Sequence, residues 1–414
     1  MTAPTRPPLK PLFDALQLLL GHAQTLQEFE SVPTGDADGR VLAQDVVSGL
    51  QVPPHDNSSM DGYALRCAEA HDQGAEFAVS QRIAAGTSGV ALQPGTVARI
   101  FTGAPVPLGA DAVVMQEDCT PLPDVDGLPR VRVNSLPLPG QWIRRAGEDV
   151  AQGDVVLAKG HRLGPAELGL AASVGLDQLL VVRRPRVALF STGDELVMPG
   201  TVAPKDMKPG AIYNSNRFFL SALLRRLGCE VTDLGIVPDQ REATVQALRD
   251  AALSHDVILT SGGVSVGEED HIKPAVQTLG TLDLWQIAIK PGKPFAHGRI
   301  GAAHFLGLPG NPVSSLVTFL VLVRPFLLQL QGVTDVAMKT VAARADFDWP
   351  RADKRQEFLR VRRNAAGGLD LFPNQSSGVL TSAVWGDGLV DNPANTSIVY
   401  GDSVRYVSFS ELLA

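Results

Sequence analysis

The stretch Val257-Ile258-Leu259-Thr260-Ser261-Gly262-Gly263-Val264-Ser265-Val266-Gly267 decides the fold. Its first four residues form a short apolar run rich in β-branched side chains, which predicts a buried strand. The glycines that follow allow the backbone to turn its N–H groups towards a bound anion, and Ser261 and Ser265 add hydroxyl donors. The alternative is a Gly-rich turn that binds no ligand. A Gly-rich loop alone is weak evidence for phosphate binding.

The segments on either side of this loop alternate between strands and helices. Strands are expected at 187–190, 230–234 and 304–308, and helices at 217–227, 241–253 and after residue 312. This alternation is typical of βαβ units, so residues 186–331 predict a parallel sheet with helices on both faces. Ligands of such a sheet bind beyond the carboxyl ends of its strands, where the Gly-rich loop must lie.

The rest of the chain has different sequence patterns and predicts mostly β structure. Helices are expected at 12–29 and 165–174, and the short β-branched runs between turns at 51–150 predict a β-rich domain. From residue 335 onwards the pattern is all-β and predicts a small barrel or sandwich, with strands at 339–345, 357–363, 397–399 and 403–409. The fold class is therefore α/β multidomain, in a chain of 414 residues that is long for a single core.

Composition and charge exclude several classes of function. The net charge of −8 argues against nucleic acid as a partner, since phosphate backbones require a broad basic surface. The three cysteines lack any CxxC spacing, so neither a disulfide framework nor a zinc site is expected. The N-terminus has no apolar signal core, and Arg324 and Pro325 interrupt the longest apolar run, which predicts a buried helix and no membrane span. We therefore expect a cytoplasmic protein.

Two further segments are candidates for anion binding. Pro312 at a first helical position, with Ser314 in the first turn, predicts free N–H groups at the positive end of a helix dipole, and ordinary capping is the alternative. In Lys290-Pro291-Gly292-Lys293-Pro294, two lysines separated by Pro-Gly suit a dianion such as phosphate or molybdate. A solvated basic turn would have the same composition.

Carboxylates follow several of the predicted strands, namely Asp194, Glu195, Asp239 and Asp270. If they converge beside phosphate donors, they suggest Mg²⁺, a hard ion that oxygen ligands and substrate phosphates bind. Helix capping is the alternative, above all for Asp239. Three polar turns of the β-rich region, at 57–64, 102–107 and 144–149, also carry charged groups, but composition alone does not join them to the sheet.

Taken together, these segments resemble the molybdopterin molybdenumtransferase family, which includes bacterial MoeA proteins, a domain of a plant cofactor-synthesis protein and the C-terminal part of gephyrin. The matching motifs occur in family order over residues 51–315. They are Asp56-Asn57-Ser58-Ser59-Met60-Asp61-Gly62-Tyr63-Ala64, Thr102-Gly103-Ala104-Pro105-Val106-Pro107, Gly147-Glu148-Asp149, Ser191-Thr192-Gly193-Asp194-Glu195, Ser261-Gly262-Gly263-Val264-Ser265-Val266-Gly267, Lys290-Pro291-Gly292-Lys293-Pro294 and Gly307-Leu308-Pro309-Gly310-Asn311-Pro312.

The resemblance implies an architecture of four parts. Residues 1–32 and 184–333 would form a molybdopterin-binding α/β domain, and residues 33–52 and 152–183 an elongated linking domain. Residues 53–151 would form an inserted β-rich domain, and residues 334–414 a C-terminal β-barrel. The resemblance also implies a homodimer whose cleft combines the sheet domain of one subunit with the inserted domain of the other.

The resemblance further implies the reaction and its residues. Molybdate would be inserted into adenylyl-molybdopterin with Mg²⁺-dependent release of AMP, and the pathway adenylyltransferase and apo-molybdoenzymes would be protein partners. The catalytic residues would be Asp61, Thr102, Asp149, Glu195, Lys290 and Lys293. The residues that bind the pterin phosphate or molybdate would be Arg144, Gly262, Gly263, Ser265, Gly267, Pro309, Pro312, Ser314, Arg360 and Ser376. Asp239 and Asp270 would bind Mg²⁺. Arg360 and Arg362 share one face of a strand, so the strand register decides which of them reaches the anion.

Three alternatives remain open from the sequence. An adenylyltransferase of the same pathway could use the sheet domain alone, although the Met60-Asp61-Gly62 and Lys290-Pro291-Gly292-Lys293 segments argue against it. A non-catalytic scaffold could lose active-site residues, whereas here the carboxylates and both lysines are present. Tungstate instead of molybdate is equally compatible, since both are tetrahedral dianions of nearly equal size.

Overall fold

The computed structural model describes residues 8–238, 240–264 and 271–413. Its helices, numbered along the chain, are α1 (Leu12–His22), α2 (Pro165–Ser173), α3 (Asn216–Arg226), α4 (Arg241–Ala252), α5 (Ile272–Leu279), α6 (Pro312–Thr318), α7 (Arg324–Leu330), α8 (Thr381–Trp385) and α9 (Phe409–Leu413).

The strands fall into three six-stranded sheets and several short pairs. In chain order they are β1 (Phe29–Pro33), β2 (Val46–Val47), β3 (Asn57–Ser58), β4 (Gly62–Leu65), β5 (Ala75–Ile83), β6 (Thr96–Ile100), β7 (Ala112–Met115), β8 (Cys119–Val125), β9 (Leu128–Val133), β10 (Ile143–Arg144), β11 (Val155–Leu157), β12 (Gln178–Val182), β13 (Arg186–Thr192), β14 (Leu196–Val197), β15 (Ile212–Tyr213), β16 (Glu230–Val237), β17 (Val257–Ser261), β18 (Gly280–Gln286), β19 (Ile289–Lys290), β20 (Pro294–Ile300), β21 (Ala303–Leu308), β22 (Val341–Ala345), β23 (Gln356–Arg363), β24 (Gly368–Leu371), β25 (Gly388–Asn392) and β26 (Ser403–Ser408).

The central sheet has the strand order β16-β13-β17-β21-β20-β18. Its first four strands are parallel, as the alternation of strands and helices predicts. Alternate residues of each strand enter two different cores, so Val257 and Leu259 pack with α1, α3, α6 and α7, whereas Ile258 packs with α4 and α5. Helices therefore cover both faces. The antiparallel strands β20 and β18, which the sequence patterns did not predict, extend one edge of the sheet.

The N-terminal helix is shorter than expected. It ends at His22 instead of residue 29, because β1 pairs with β12 and draws residues 29–33 into a strand. Helix α1 packs on the central sheet domain, where the side-chain amide of Gln329 donates to the carbonyl oxygens of Leu20 at 2.9 Å and Ala23 at 3.0 Å. The two ends of this domain, about three hundred residues apart in the chain, thus share one core.

The helical run Pro312–Leu330 is long and apolar enough to cross a membrane, with a mean hydropathy of 1.8 over 18 residues. It is nonetheless a core helix, because 83% of those 18 residues are buried inside the protein. Phe319–Val323 form a π-helical segment between α6 and α7. The expected buried helix is therefore confirmed, with an irregularity at its centre.

The inserted and C-terminal regions are both β-rich. The sheet of the inserted region has the strand order β7-β4-β6-β5-β9-β8. In the C-terminal region β23, β24, β22, β26 and β25 close into a five-stranded barrel, since β25 also pairs with β23. The prediction of a strand at 397–399 is wrong, because Ile398 forms only an isolated bridge to Trp349 there. The inserted region has apolar cores of its own, and the barrel has one too, but Phe358, Leu389, Val407 and Leu412 of the barrel pack in the core of the central sheet domain. The domain boundaries given above stay a prediction.

Candidate active site

A cavity of about 550 Å³ lies beyond the carboxyl ends of β13, β17 and β21. These ends are in register, with Ser191 opposite Ser261 and Ser261 opposite Leu308. Each strand end contributes to the cavity wall: Thr192 at the end of β13 and Glu195 in the turn after it, Gly262 after β17, and Gly310 after β21 with Pro312 at the start of α6. The edge of the sheet thus brings together the segments that follow β13, β17 and β21.

The Gly-rich loop packs directly on the turn after β13. The φ angles of Gly262 and Gly263 are +96° and +69°, in the region that favours glycine. A Cβ atom on Gly263 would lie 2.6 Å from the Ile272 side chain and 3.1 Å from the hydroxyl of Thr192. Both glycines are therefore required by backbone conformation and by close packing. Ser265, Gly267, Asp270 and Asp239, which carry predicted phosphate and metal roles, lie outside the described residues.

Asn216 links the end of β17 to the turn after β21, a contact that the sequence did not predict. Its side-chain amide donates to the hydroxyl of Ser261 at 2.8 Å and to the carbonyl of Gly310 at 2.7 Å. The run Asn214-Ser215-Asn216 is typical of a helix cap, and a cap is present at the start of α3, because the backbone N–H of Arg217 donates to the side-chain oxygen of Asn214 at 3.2 Å. The side-chain amide nitrogen of Asn214 is buried on the cavity wall without a hydrogen-bond partner among the described residues.

Helix α6 begins at the cavity with Pro312, as predicted. Ser314 is buried in its first turn, and the N–H of Val313 donates to the carbonyl of Ser377 at 2.9 Å. The start of the helix is therefore held by the loop that contains Ser376 and Ser377 of the C-terminal region. Pro309 contributes a carbonyl that accepts from Ser261 at 3.4 Å.

Lys290 contacts carboxylates of the C-terminal barrel. Strands β19 and β23 pair in parallel, with Lys290 opposite Glu357. The ammonium group lies 2.9 Å from the buried Glu357 carboxylate and 3.3 Å from Asp353, and the indole N–H of Trp349 donates to Glu357 at 2.8 Å. The guanidinium of Arg355 is the main reason why the pKa of Asp353 is lowered. Lys293 lies three residues further on and is half-buried.

Arg360 is buried, whereas Arg362 is exposed and its guanidinium stacks on Trp385 at 4.5 Å. The Arg360 guanidinium donates to the Ser382 hydroxyl at 3.1 Å and to the carbonyls of Phe358 at 3.1 Å and Ser376 at 3.3 Å. Burial without a carboxylate lowers the pKa of Arg360 to about 10. Of the two arginines, Arg360 is therefore the one directed towards the loop that holds α6.

The three polar turns of the inserted region form a second cluster. Asp61 precedes β4 and Thr102 follows the adjacent β6, so both lie at one end of the sheet. The N–H and the hydroxyl of Thr102 each donate to Asp61 at 2.8 Å, and these bonds, the backbone one first, lower the pKa of Asp61. Asp56 joins the third turn, accepting from Arg145 at 2.6 Å and from the N–H of Ala146 at 2.8 Å.

Arg144 and Asp149 lie on the third turn and are both exposed. Strand β10 places Arg144 opposite Asn57 of β3, which connects it to the turn that contains Asp61. Among the described residues, the wall of the sheet-edge cavity includes none from 53–151. Lys290, Lys293, Arg360 and Ser376 are also absent from that described wall. The predicted site residues thus fall into three groups: one at the sheet-edge cavity, one where β19 meets the C-terminal barrel, and one on the inserted region.

The sequence and the fold of this chain are similar to those of known proteins. Three family models match consecutive parts of the chain: "MoeA N-terminal region (domain I and II)" over residues 10–175, "Probable molybdopterin binding domain" over 188–329 and "MoeA C-terminal region (domain IV)" over 342–409. The molybdopterin molybdenumtransferase of Haemophilus influenzae is 46% identical over 298 residues, which cover 72% of this chain and 72% of that protein. This chain belongs to the molybdopterin molybdenumtransferase family.

Other relatives support the same assignment over more of the chain. Molybdopterin molybdenumtransferase 2 of Mycobacterium tuberculosis is 37% identical over 377 residues, which cover 88% of this chain and 90% of that protein. The crystal structure of the molybdopterin biosynthesis moeA protein from Pyrococcus horikoshii superposes with a TM-score of 0.83 at 28% identity and covers 97% of this chain and 100% of that one. The chain is therefore a transferase of molybdenum cofactor biosynthesis, with the fold of the molybdopterin molybdenumtransferases.

The family implies Mg²⁺, so the described donors can be tested for it. Glu195 is the only carboxylate on the described wall of the sheet-edge cavity, beside the neutral oxygens of Thr192 and Ser261. No group of three or more His, Cys, Asp or Glu residues among the described residues could hold a metal ion by itself. This set fits an ion held mainly by water and substrate phosphates, as is usual for Mg²⁺, and does not form a complete protein cage.

Proposed function

We propose that this chain inserts molybdate into adenylyl-molybdopterin and releases AMP. The two dithiolene thiols would bond to molybdenum and displace one molybdate oxygen, which would leave as water with the two thiol protons. Water would cleave the pyrophosphate linkage, giving AMP and the phosphate of the metal-loaded molybdopterin. The observation that carries the proposal is the convergence of three strand-end turns and the start of α6 around one cavity. Backbone N–H groups at such turns and helix starts stabilise phosphate oxygens, and the cavity is large enough for part of a nucleotide-sized ligand.

The chemistry requires that two anions approach each other, so their repulsion has to be offset by cations and fixed donors. We propose that Gly262, Gly263, Ser265, Gly267, Pro309 and Pro312 cradle the phosphate side. Lys290, Lys293, Ser314, Arg360 and Ser376 would hold molybdate, while Glu195 lines the cleft. Asp239 and Asp270 would hold Mg²⁺, which would neutralise phosphate charge when bound.

The inserted region would complete the site from a second subunit. Asp61, Thr102, Asp149 and Arg144 lie in one cluster of turns that contributes nothing to the described wall of the sheet-edge cavity. A homodimer in which this cluster covers the sheet edge of its partner would unite both groups. We further propose a cytoplasmic location, receipt of the substrate from the pathway adenylyltransferase and delivery of the product to apo-molybdoenzymes.

The test is AMP release from adenylyl-molybdopterin by the purified protein with Mg²⁺, with and without molybdate. Wild type should release AMP only when molybdate is present. Asp270→Asn and Lys290→Ala should each reduce the rate by about a hundredfold, because they remove charge that acts on the reacting anions. Lys159→Ala, which removes an exposed lysine far from these loops in the chain, is the matched control. Equal AMP release without molybdate, or full activity of both variants, would refute the proposal.

A further inference from the structure

A second cavity of about 660 Å³ lies at the opposite end of α3 from the sheet-edge cavity. The start of α3, at Ser215 and Asn216, lines the sheet-edge cavity, whereas Arg225 and Arg226 at its end line the second one. The described walls of the two cavities share no residue. The second cavity is therefore a separate site.

Arginines from four segments of the chain line this cavity. In addition to Arg225 and Arg226 they are Arg162 of the linking segment, Arg184 before β13 and Arg324 at the start of α7. Five arginines around one cavity are unexpected in a chain whose net charge is −8. Arginine is the side chain best suited to bind phosphate, since its planar group presents several N–H donors in a fixed geometry.

Arg324 is the strongest single indication of a ligand. Its side chain is only 9% exposed, and its Nε atom has no hydrogen-bond partner among the described residues. Burial lowers the pKa of Arg324, because the guanidinium has lost water without gaining a carboxylate within 4.0 Å in the described part of the chain. A buried cation in this state is costly, and an anion in the cavity would offset that cost.

Four carboxylates also line the cavity, but two of them are engaged elsewhere. Glu167 accepts from the N–H of Gly164 at 3.0 Å and lies 3.4 Å from His161. Asp335 lies 3.5 Å from Lys339. Arg225 and Arg226 are exposed and form no ion pair within 4.0 Å among the described residues, so their charges face the opening without a partner. The five arginines of the described wall exceed its four carboxylates by one charge.

We infer that this cavity binds a phosphate monoester dianion of up to nucleotide size. Its volume lies within the range of small-molecule sites. The phosphate would contact Arg324 at the inner end and Arg225 and Arg226 at the opening. Because α3 connects this cavity to Asn216, a bound ligand would act on the helix that also holds Ser261 and Gly310.

The experiment is calorimetric titration of the full chain with inorganic phosphate and, separately, with AMP. The double variant Arg225→Gln/Arg226→Gln removes two exposed charges and should fold normally, and its affinity should fall by at least about tenfold. Arg324→Met should weaken binding at least as much. Arg249→Gln, an exposed arginine on α4 outside both cavities, is the matched control and should bind as wild type does.

The Gly310→Leu variant separates the two cavities, because Gly310 lies on the described wall of the sheet-edge cavity and a larger side chain there would fill part of it. A ligand held in the arginine-lined cavity keeps its affinity in Gly310→Leu, whereas one held only at the sheet edge loses affinity there and keeps it in the arginine variants. The inference is overturned by that second pattern, by equal affinity of wild type and double variant, or by the absence of binding up to about 10 mM ligand, about tenfold above the 1 mM dissociation constant of a weak site.

Discussion

At the scale of single residues, Lys290 has a more complex position than its sequence motif suggests. The motif predicts a cation free to meet an oxyanion, but its ammonium group contacts two carboxylates of the barrel. Glu357 is 1% exposed, so the contacts that stabilise its carboxylate come from Lys290 and from the indole N–H of Trp349 and not from bulk water. Lys290 therefore stabilises the fold in addition to its proposed role in binding molybdate.

The first prediction separates these two roles. Lys290→Ala leaves the Glu357 carboxylate buried without its cation and should lower the free energy of unfolding by about 1–3 kcal/mol. The double variant Lys290→Ala/Glu357→Gln removes the uncompensated charge and should recover most of that stability while remaining inactive. Urea unfolding and AMP release measure the two effects. If the double variant is as unstable as Lys290→Ala, the buried charge is not the cause.

Pairwise contacts mark the limit of what the sequence can predict at this scale. The motifs identified Asp61 and Thr102 but gave no physical reason to place them together, and their bond depends on β4 and β6 being neighbours. Asn216 was interpreted as part of a cap because its partners, Ser261 and Gly310, follow two other strands. Such partners become neighbours only once the strand order is known.

At the scale of elements, sequence patterns predicted the parallel strands and most helices, because each is a local run with its own periodicity. These patterns failed where pairing with a distant segment determines the secondary structure. The helix expected at 12–29 ends at His22, and Phe29 instead begins β1, which pairs with β12; β18 joins the sheet through β20. Tertiary contacts outweigh local preference in both cases.

The second prediction concerns the turn between the two lysines. The φ angle of Gly292 is +115°, and a Cβ atom there would lie 2.4 Å from the Thr318 hydroxyl on α6. Gly292→Ala should therefore lower the free energy of unfolding by about 2–4 kcal/mol, from strain and overpacking together. It should also reduce activity, since the loop would move away from α6.

Gly301→Ala is the matched control for this substitution. Its φ angle is also positive, at +59°, but no atom lies within 4 Å of the added Cβ. It should cost only the backbone strain, about 1 kcal/mol. Equal losses in urea unfolding for the two variants would show that contact with α6 does not matter.

At the scale of the whole molecule, the separation of the two clusters leads to the third prediction. Asp61→Asn and Lys293→Ala should each be inactive alone, because each removes one half of the proposed site. After joint unfolding and refolding, mixed dimers would contain one site with both native halves. Random mixing should restore about a quarter of wild-type AMP release. Mixtures without any recovered activity would place both halves of the site within one subunit.

The fourth prediction concerns pH. His297 and His304 lie in the core near His22 and Arg299, and burial is the main reason why their pKa values fall to about 4 and about 3. An unfolded chain protonates these rings near pH 6.5, whereas the folded chain does not. The unfolded state therefore gains protons first as the pH falls, and stability should decrease from about pH 6.5 downwards.

Urea midpoints at pH 7 and pH 5 measure this effect. The midpoint of wild type should be lower at pH 5, and His297→Gln should reduce that difference. His71→Gln, which replaces an exposed histidine, should leave the difference unchanged. Identical pH dependence of wild type and His297→Gln would exclude the buried rings as its source.

The bond between Gln329 and the end of α1 has a consequence for synthesis of the chain on the ribosome. Leu20 leaves the ribosome 309 residues before Gln329, and translation at 5–20 residues per second makes that interval roughly 15–60 seconds. During this time the apolar face of α1, including Ala15 and Leu19, has no native partner from α7. This face stays without that partner until α7 has emerged, so α1 is synthesised early but packs late.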